Sequence, residues 1–178
     1  EAADRIVLNA IELDILAVTL DGAAVPFHLE EATERLIVDT AASPGPAVLA
    51  IEFTGILNDL LHGWYRSTFK DADGTERVIA TSQMQATDCR RAFPCWDEPD
   101  FKATFEISLT CDAGLTAVSN GAETARTDLD DGRTRFDFAP TMKMSTYLVA
   151  WVIGELEVSD TVRGGTTDIR VIHRPGQG

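Results

Sequence analysis

Residues 101–109 read FKATFEISL and carry the clearest secondary-structure signal in the chain. Apolar side chains occupy every odd position, from Phe101 through Phe105 to Leu109, and polar side chains occupy the positions between them. Because successive side chains of a β-strand point to opposite faces, this alternation predicts a strand with one face against a core.

Asp-Gly pairs separate other apolar runs on both sides of this segment, at Asp21-Gly22, Asp73-Gly74 and Asp131-Gly132. Such a pair between two apolar runs is a strong hairpin signal, and turns at intervals of about 8–12 residues are typical of all-β proteins. A convincing helix is hard to find, since prolines interrupt the best helical pattern, over residues 83–97. We therefore predict an all-β fold with at most short helical turns.

The composition limits the class of partner. Hydrophobic residues make up 44% of the 178 residues, and 15 basic residues against 29 acidic ones give a formal net charge of -14. A surface this acidic repels phosphate groups, so we expect no nucleic-acid or anionic-membrane partner.

The three cysteines show no C-x-x-C spacing. This usage favours free thiols in a reducing, cytoplasmic compartment.

No complete active site is visible in the sequence. The three histidines, His28, His62 and His173, are far apart and form no H-x-x-x-H pair. The serines lack the G-x-S-x-G elbow of a nucleophilic hydrolase. We therefore predict neither catalytic residues nor metal ligands within this chain.

Residues 81–102, TSQMQATDCRRAFPCWDEPDFK, concentrate unusual chemistry in an otherwise plain β sequence. Two adjacent arginines lie close in sequence to several acids, which predicts an ordered, irregular loop over residues 88–100 held by guanidinium–carboxylate pairs. We also expect Trp96 to pack into the core. The residues predicted to hold the loop are Asp88, Arg90, Arg91, Asp97 and Glu98.

Two glutamines precede this loop. If residues 81–85 are extended, Gln83 and Gln85 point to the same face, about 7 Å apart. Two neutral amides side by side could hold a polar ligand through hydrogen bonds. The alternative is that they cap backbone groups of the loop.

The segment SQMQATDCRRAFPCWDEPDFKATFEISL, residues 82–109, resembles the signature of the N-terminal domain of the M1 (gluzincin) zinc aminopeptidases. Within the family, the segment resembles aminopeptidase N and the puromycin-sensitive aminopeptidases. Further matching segments follow in family order: GWYRSTF at residues 63–69, AVSN at 117–120 and MSTYLVAWVIGELE at 144–157.

The resemblance implies a large twisted saddle of antiparallel or mixed sheets. Residues 1–173 would form this domain without the family's first strands. Residues 174–178 would begin a linker to a catalytic domain that is absent from the chain. In the intact enzyme, zinc and its ligands would belong to that catalytic domain of the same polypeptide. The chain alone would be inactive.

The resemblance also assigns substrate-binding roles to Gln83 and Gln85 on the S1 side, where the amino terminus of a peptide substrate binds. Family aminopeptidases usually carry Glu at the position of Gln85. The leukotriene A4 hydrolase branch likewise has Gln there. Two alternatives therefore stay open: a subfamily with an altered substrate, and a non-catalytic scaffold that retains the fold.

Overall fold

The computed structural model describes residues 3–42, 44–71 and 73–177. Within these residues the chain forms nineteen strands and three short 3₁₀ turns. The strands are β1 (Ala3–Asn9), β2 (Leu13–Leu20), β3 (Ala23–Ala24), β4 (Phe27–Glu30), β5 (Arg35–Ala42), β6 (Leu49–Gly55), β7 (Gly63–Lys70), β8 (Glu76–Gln83), β9 (Lys102–Ala103), β10 (Ser108–Asp112), β11 (Thr116–Ser119), β12 (Glu123–Asp128), β13 (Arg133–Phe138), β14 (Met144–Ser145), β15 (Trp151–Gly154), β16 (Glu157–Val158), β17 (Val162–Gly164), β18 (Thr167–Ile169) and β19 (Ile172–His173). The 3₁₀ turns are Glu31–Thr33, Cys89–Arg91 and Thr146–Leu148.

This architecture confirms the predicted all-β class with short helical turns. Among the described residues, no helix is long and apolar enough to cross a membrane. The division into a domain over residues 1–173 and a linker from residue 174 stays a prediction, and Gly178 lies outside the described residues.

The Asp-Gly turns lie where the sequence predicts hairpins. Asp21 and Gly22 both have positive φ, 50° and 82°, and they join β2 directly to β3. Two left-handed residues form a turn whose twist matches that of the flanking strands. Gly74 and Gly132 adopt the same left-handed region between β7 and β8 and between β12 and β13. Each of these strand pairs is adjacent in its sheet.

The chain divides into two compact units. The first comprises Glu1–Tyr65, Gln83–Ala103 and Lys143–Val149. Its sheets have the strand orders β1-β5-β4, β3-β2-β6 and β14-β9. Strand β5 is central in its sheet, and its Leu36 and Val38 have no exposed surface. They pack with Leu8 and Val18 in the core of this unit.

The second unit comprises Arg66–Ser82, Thr104–Met142 and Ala150–Gly178. Its sheets have the orders β10-β13-β12, β11-β15-β8-β7, β16-β19 and β17-β18. Strand β13 buries every second residue, and Phe136 and Phe138 form a core cluster with Ala117.

The prediction of one continuous strand over residues 101–109 is wrong. The segment contains β9 and the start of β10, and residues 104–107 between them belong to neither. There the Phe105 N–H donates to Thr141 Oγ1, and the Phe105 carbonyl accepts from the Thr141 N–H, both at 3.0 Å. The hydroxyl and the backbone N–H of Thr141 thus supply the hydrogen-bond partners of Phe105 that a neighbouring strand would supply in a sheet. The predicted alternation holds only in part: Phe105, Ile107 and Leu109 are half-buried, whereas Phe101 and Ala103 are exposed.

The buried position of Leu36 generates the first prediction. Leu36→Ala should lower the free energy of unfolding by about 2–5 kcal/mol, because it leaves a cavity in the core of the first unit. Leu16→Ala is the matched control, since this side chain of β2 is 55% exposed and should change stability by at most about 0.5 kcal/mol. Urea denaturation measures both values. Equal losses for the two variants would contradict the described core.

Candidate functional site

The loop over residues 84–101, called the signature loop here, follows directly after β8. It pairs with the end of β1: the Asn9 N–H donates to the Cys95 carbonyl at 2.7 Å, and the Cys95 N–H donates back to the Asn9 carbonyl at 3.1 Å. The Ile11 N–H donates to the Arg90 carbonyl at 3.0 Å. The loop is therefore irregular but anchored through its backbone, as predicted for residues 88–100.

Arg90 forms the most buried ion pair of the loop. Its Nε donates to Asp97 Oδ2 at 3.0 Å and its Nη1 donates to Glu34 Oε2 at 2.8 Å. The Arg90 side chain is 12% exposed and that of Asp97 only 2%. Burial acts to lower the pKa of the guanidinium, but the hydrogen bonds to Asp97 and Glu34 outweigh it and raise that pKa above its usual value. Arg90 therefore stays charged.

Arg91 forms a second pair of contacts. Its Nε donates to Asp88 Oδ1 at 3.0 Å, and its Nη1 donates to Glu12 Oε1. The hydrogen bond to Glu12 is the main cause that raises the pKa of Arg91. Gly63 allows close approach to Arg91: its φ is +63°, and a Cβ there would lie 2.9 Å from the Arg91 Cβ. A larger residue at Gly63 would disturb this packing.

The structure thus brings together four of the five residues predicted to hold the loop. Glu98 is exposed, and within the described residues no ion pair joins it to either arginine. Glu12 and Glu34 take that role instead, from 79 and 56 positions away in sequence. Sequence spacing offers no signal for these distant partners.

The expectation that Trp96 packs into the core is wrong. The side chain is 48% exposed, and its indole N–H donates to the Val7 carbonyl at 2.9 Å. The polar edge of the ring therefore holds it at the surface.

The two glutamines do not lie on one extended strand. Gln83 ends β8, and Gln85 lies in the turn that follows. Met84 between them is only 2% exposed, so its burial anchors the turn while both glutamines remain exposed. The Gln85 N–H donates to Gln83 Oε1 at 3.3 Å. Gln83 therefore caps loop backbone, which is the alternative that the sequence left open.

This geometry gives the two amides different capacities. The side-chain oxygen of Gln83 already accepts a hydrogen bond from the Gln85 N–H. The Gln85 side-chain amide makes no hydrogen bond with another described residue. It therefore offers one acceptor oxygen and an NH₂ donor to a ligand.

The Cys89 thiol of the loop has a structural role. The Cys89 thiol, with no exposed surface, donates to the Thr146 carbonyl at 3.1 Å. A hydrogen bond with Cys95, together with burial, raises the pKa of the Cys89 thiol far above its usual value. A thiol held protonated in this way is a poor nucleophile and a poor metal ligand.

The described residues do not fit a zinc site. Within them, no three His, Cys, Asp or Glu side chains come together as metal ligands. A zinc ion bound to protein takes three or four such ligands. No chemical step is therefore assigned to a metal held by the described part of this chain.

A family profile described as the Peptidase M1 N-terminal domain matches residues 1–148. The chain belongs to this family. It is 40% identical to Aminopeptidase 2 of Candida albicans, across 99% of this chain and 19% of that protein. It is 42% identical to Puromycin-sensitive aminopeptidase of Caenorhabditis elegans, across 78% of this chain and 15% of that protein. For Aminopeptidase N of Rattus norvegicus the identity is 41%, across 83% and 16%.

The M1 chain described here thus spans about a fifth or less of the length of these curated relatives. The resemblance read from residues 82–109 is confirmed by these matches. Residues 1–148 match the Peptidase M1 N-terminal domain, and the relatives named above are aminopeptidases.

The ion pairs generate the second prediction. Arg90→Ala should lower the free energy of unfolding by about 3–5 kcal/mol, because it leaves the Asp97 carboxylate buried without its partner. Arg133→Ala is the control: its pair with Asp131 is 53% and 49% exposed and should contribute about 0–1 kcal/mol. Chemical denaturation of both variants measures the difference. An Arg90→Ala loss no larger than that of the control would show that the loop does not depend on this pair.

Proposed function

We propose that this chain recognises the amino terminus of a peptide substrate on the S1 side of a zinc aminopeptidase and catalyses nothing alone. The observation that carries the proposal is the exposed amide of Gln85, on a loop anchored through Arg90, in a chain whose relatives are aminopeptidases. The longer polypeptide of which this chain would be a part is called the parent polypeptide here.

Recognition would work through hydrogen bonding to the substrate's α-ammonium group. An ammonium group only donates, so it needs an acceptor such as Gln85 Oε1. Gln83 would act mainly by bracing the turn, since its oxygen already accepts from the Gln85 N–H. A neutral amide binds an ammonium less strongly than a carboxylate does. The amide at position 85 therefore favours weaker amine binding, or a substrate that differs from that of other family members.

The remaining groups would come from the rest of the parent polypeptide. We assign zinc and the catalytic groups to a catalytic domain outside this chain, because the described residues do not fit a metal site. The partners would then be the peptide substrate and that catalytic domain.

Free thiols at Cys89 and Cys95 favour a cytoplasmic location. The net charge of -14 disfavours nucleic acid and anionic membranes as partners.

The third prediction concerns Gln85 in the parent polypeptide. Gln85→Glu should lower KM for free-amine substrates about tenfold, since a charged hydrogen bond exceeds a neutral one by about 1–2 kcal/mol. The effect should fall on KM rather than kcat if the contact is equal in ground and transition states. Steady-state kinetics on a free-amine peptide and on its N-acetylated analogue measures it.

The matched control is Gln177→Glu, which adds the same charge at another exposed glutamine and should leave KM unchanged. If Gln85→Glu alters both substrates equally, or neither, Gln85 does not contact the amine. A gain restricted to the acetylated substrate would favour the altered-substrate alternative.

The fourth prediction concerns the chain alone. The 178-residue chain should hydrolyse no aminoacyl substrate and retain no stoichiometric zinc, because a tight site needs three or four converging ligands. Metal analysis after dialysis, together with an activity assay, tests both points. About one tightly held zinc per chain, with hydrolysis that chelators abolish, would contradict the assignment of zinc and catalysis to a domain outside this chain.

A further inference from the structure

An open cleft of about 580 Å³ lies in the second unit. Its walls come from β12 and from the segment that carries the β17–β18 hairpin, and they present side chains of both charge signs. The residues that line it are Ala122, Glu123, Arg126, Thr161, Asp168 and Arg170. The peptide recognition proposed above uses none of them.

The register of β12 determines the first wall of the cleft. The pairing of β12 with β13 shifts between Glu123 and Ala125. In a regular strand, residues three positions apart point to opposite faces, and a register shift of this kind redirects the side chains that follow it. Here Arg126 Nε and Nη2 donate to the two carboxylate oxygens of Glu123 at 3.1 and 3.0 Å. The two side chains therefore line the cleft as a neutralised pair.

The second wall carries polar groups that are not yet used. The Arg170 side chain is exposed, and within the described residues it forms no hydrogen bond or ion pair. The Thr161 hydroxyl likewise has no hydrogen-bond partner among the residues that the structure describes. Asp168 Oδ1 accepts from Arg163 Nη1 at 2.7 Å, but in the described part of the chain its Oδ2 accepts from no donor. The cleft thus offers free donors on Arg170 and Thr161 and a free acceptor on Asp168.

These groups match a ligand that carries a carboxylate beside an ammonium. A guanidinium and a hydroxyl donate to carboxylate oxygens, and a carboxylate oxygen accepts from an ammonium. Asp168 and Arg170 are two positions apart and line the same cleft, so the acceptor and the donor are neighbours. An α-amino acid holds its carboxylate and its ammonium on one carbon atom. A dianion such as phosphate fits less well, because Glu123 and Asp168 would repel its second charge.

A smaller cavity of about 50 Å³ adjoins the cleft, since Glu123, Arg126 and Arg170 line both. Its remaining walls include the apolar side chains of Val118, Phe138, Val158 and Ile172. A space of this size holds a few small groups at most, so it suits a short apolar side chain better than an aromatic one. The two cavities together therefore favour a small aliphatic amino acid.

We propose that this cleft binds a free aliphatic α-amino acid. Arg170 and Thr161 bind its carboxylate, Asp168 binds its ammonium, and the smaller cavity takes its side chain. The inference goes beyond the proposed function and does not depend on it, because the cleft lies in the second unit and Gln85 in the first. An extended peptide cannot make both charged contacts, since its two termini are too far apart.

Nuclear magnetic resonance titration of the 178-residue chain with L-valine tests the cleft. Saturable shifts of the Thr161 and Arg170 backbone amides are expected, with a dissociation constant in the millimolar range for so small a ligand. L-Valinamide lacks the carboxylate, and N-acetyl-L-valine lacks the ammonium. Each should bind about tenfold more weakly than L-valine, because each loses a charge-assisted hydrogen bond.

Matched variants make the test specific. Arg170→Gln should lower the affinity for L-valine about tenfold, because it removes the charged partner of the carboxylate. Arg135→Gln is the control: it removes the same charge from an exposed residue of the second unit that does not line the cleft, and it should leave the affinity unchanged. Asp168→Asn should bring the affinities for L-valine and N-acetyl-L-valine closer together, because the ammonium then loses its charged acceptor.

Unchanged affinity in Arg170→Gln, or tighter binding of inorganic phosphate than of L-valine, would overturn the proposal. Shifts confined to the residues around Gln85 would also overturn it, and they would support amine recognition by that residue instead. The absence of any saturable shift would remove the cleft as a site and leave the proposed function standing, because the kinetics of the parent polypeptide test that function separately.

Discussion

Arg90 places its guanidinium Nε against the nearly inaccessible carboxylate of Asp97 and extends its Nη1 to Glu34. Charges withdrawn from water in this way are tolerable only when each one keeps its partner. The pair ties two points of the signature loop to each other, and the contact with Glu34 ties the loop to the residue before β5. The Arg90 carbonyl also accepts from the Ile11 N–H. Together with the backbone pairing of Asn9 and Cys95, the ion pair holds an irregular segment with two prolines in one conformation.

The signature loop has both buried and exposed side chains. Met84 and Cys89 point inward and are almost fully buried. Gln83 and Gln85, on either side of Met84, are exposed, so the burial of Met84 determines where Gln85 is presented. Trp96 stays at the surface because its indole N–H donates to the Val7 carbonyl. The same ordered loop therefore presents both the Gln85 amide and the Trp96 ring to solvent.

The sequence predicted what local chemistry decides. The hairpin at Asp21-Gly22 follows from two residues that tolerate positive φ. Short spacing predicted that the two arginines bind nearby acids, but not that Arg91 binds Asp88 and Arg90 binds Asp97. Contacts between distant segments were beyond reach, since nothing in the spacing links Glu12 to Arg91. The strand predicted over residues 101–109 is longer than the observed strands. Alternation of apolar and polar residues indicates which face is buried, but it does not indicate whether a neighbouring strand is present.

The central claim is that the buried pair of Arg90 and Asp97 fixes the signature loop. A double-mutant cycle with Arg90→Ala and Asp97→Ala, measured as free energies of unfolding, tests it most directly. The account predicts a coupling energy of about 2–3 kcal/mol, within the range for contacting residues that share a network. A coupling below about 0.5 kcal/mol, as for an exposed pair, would contradict it.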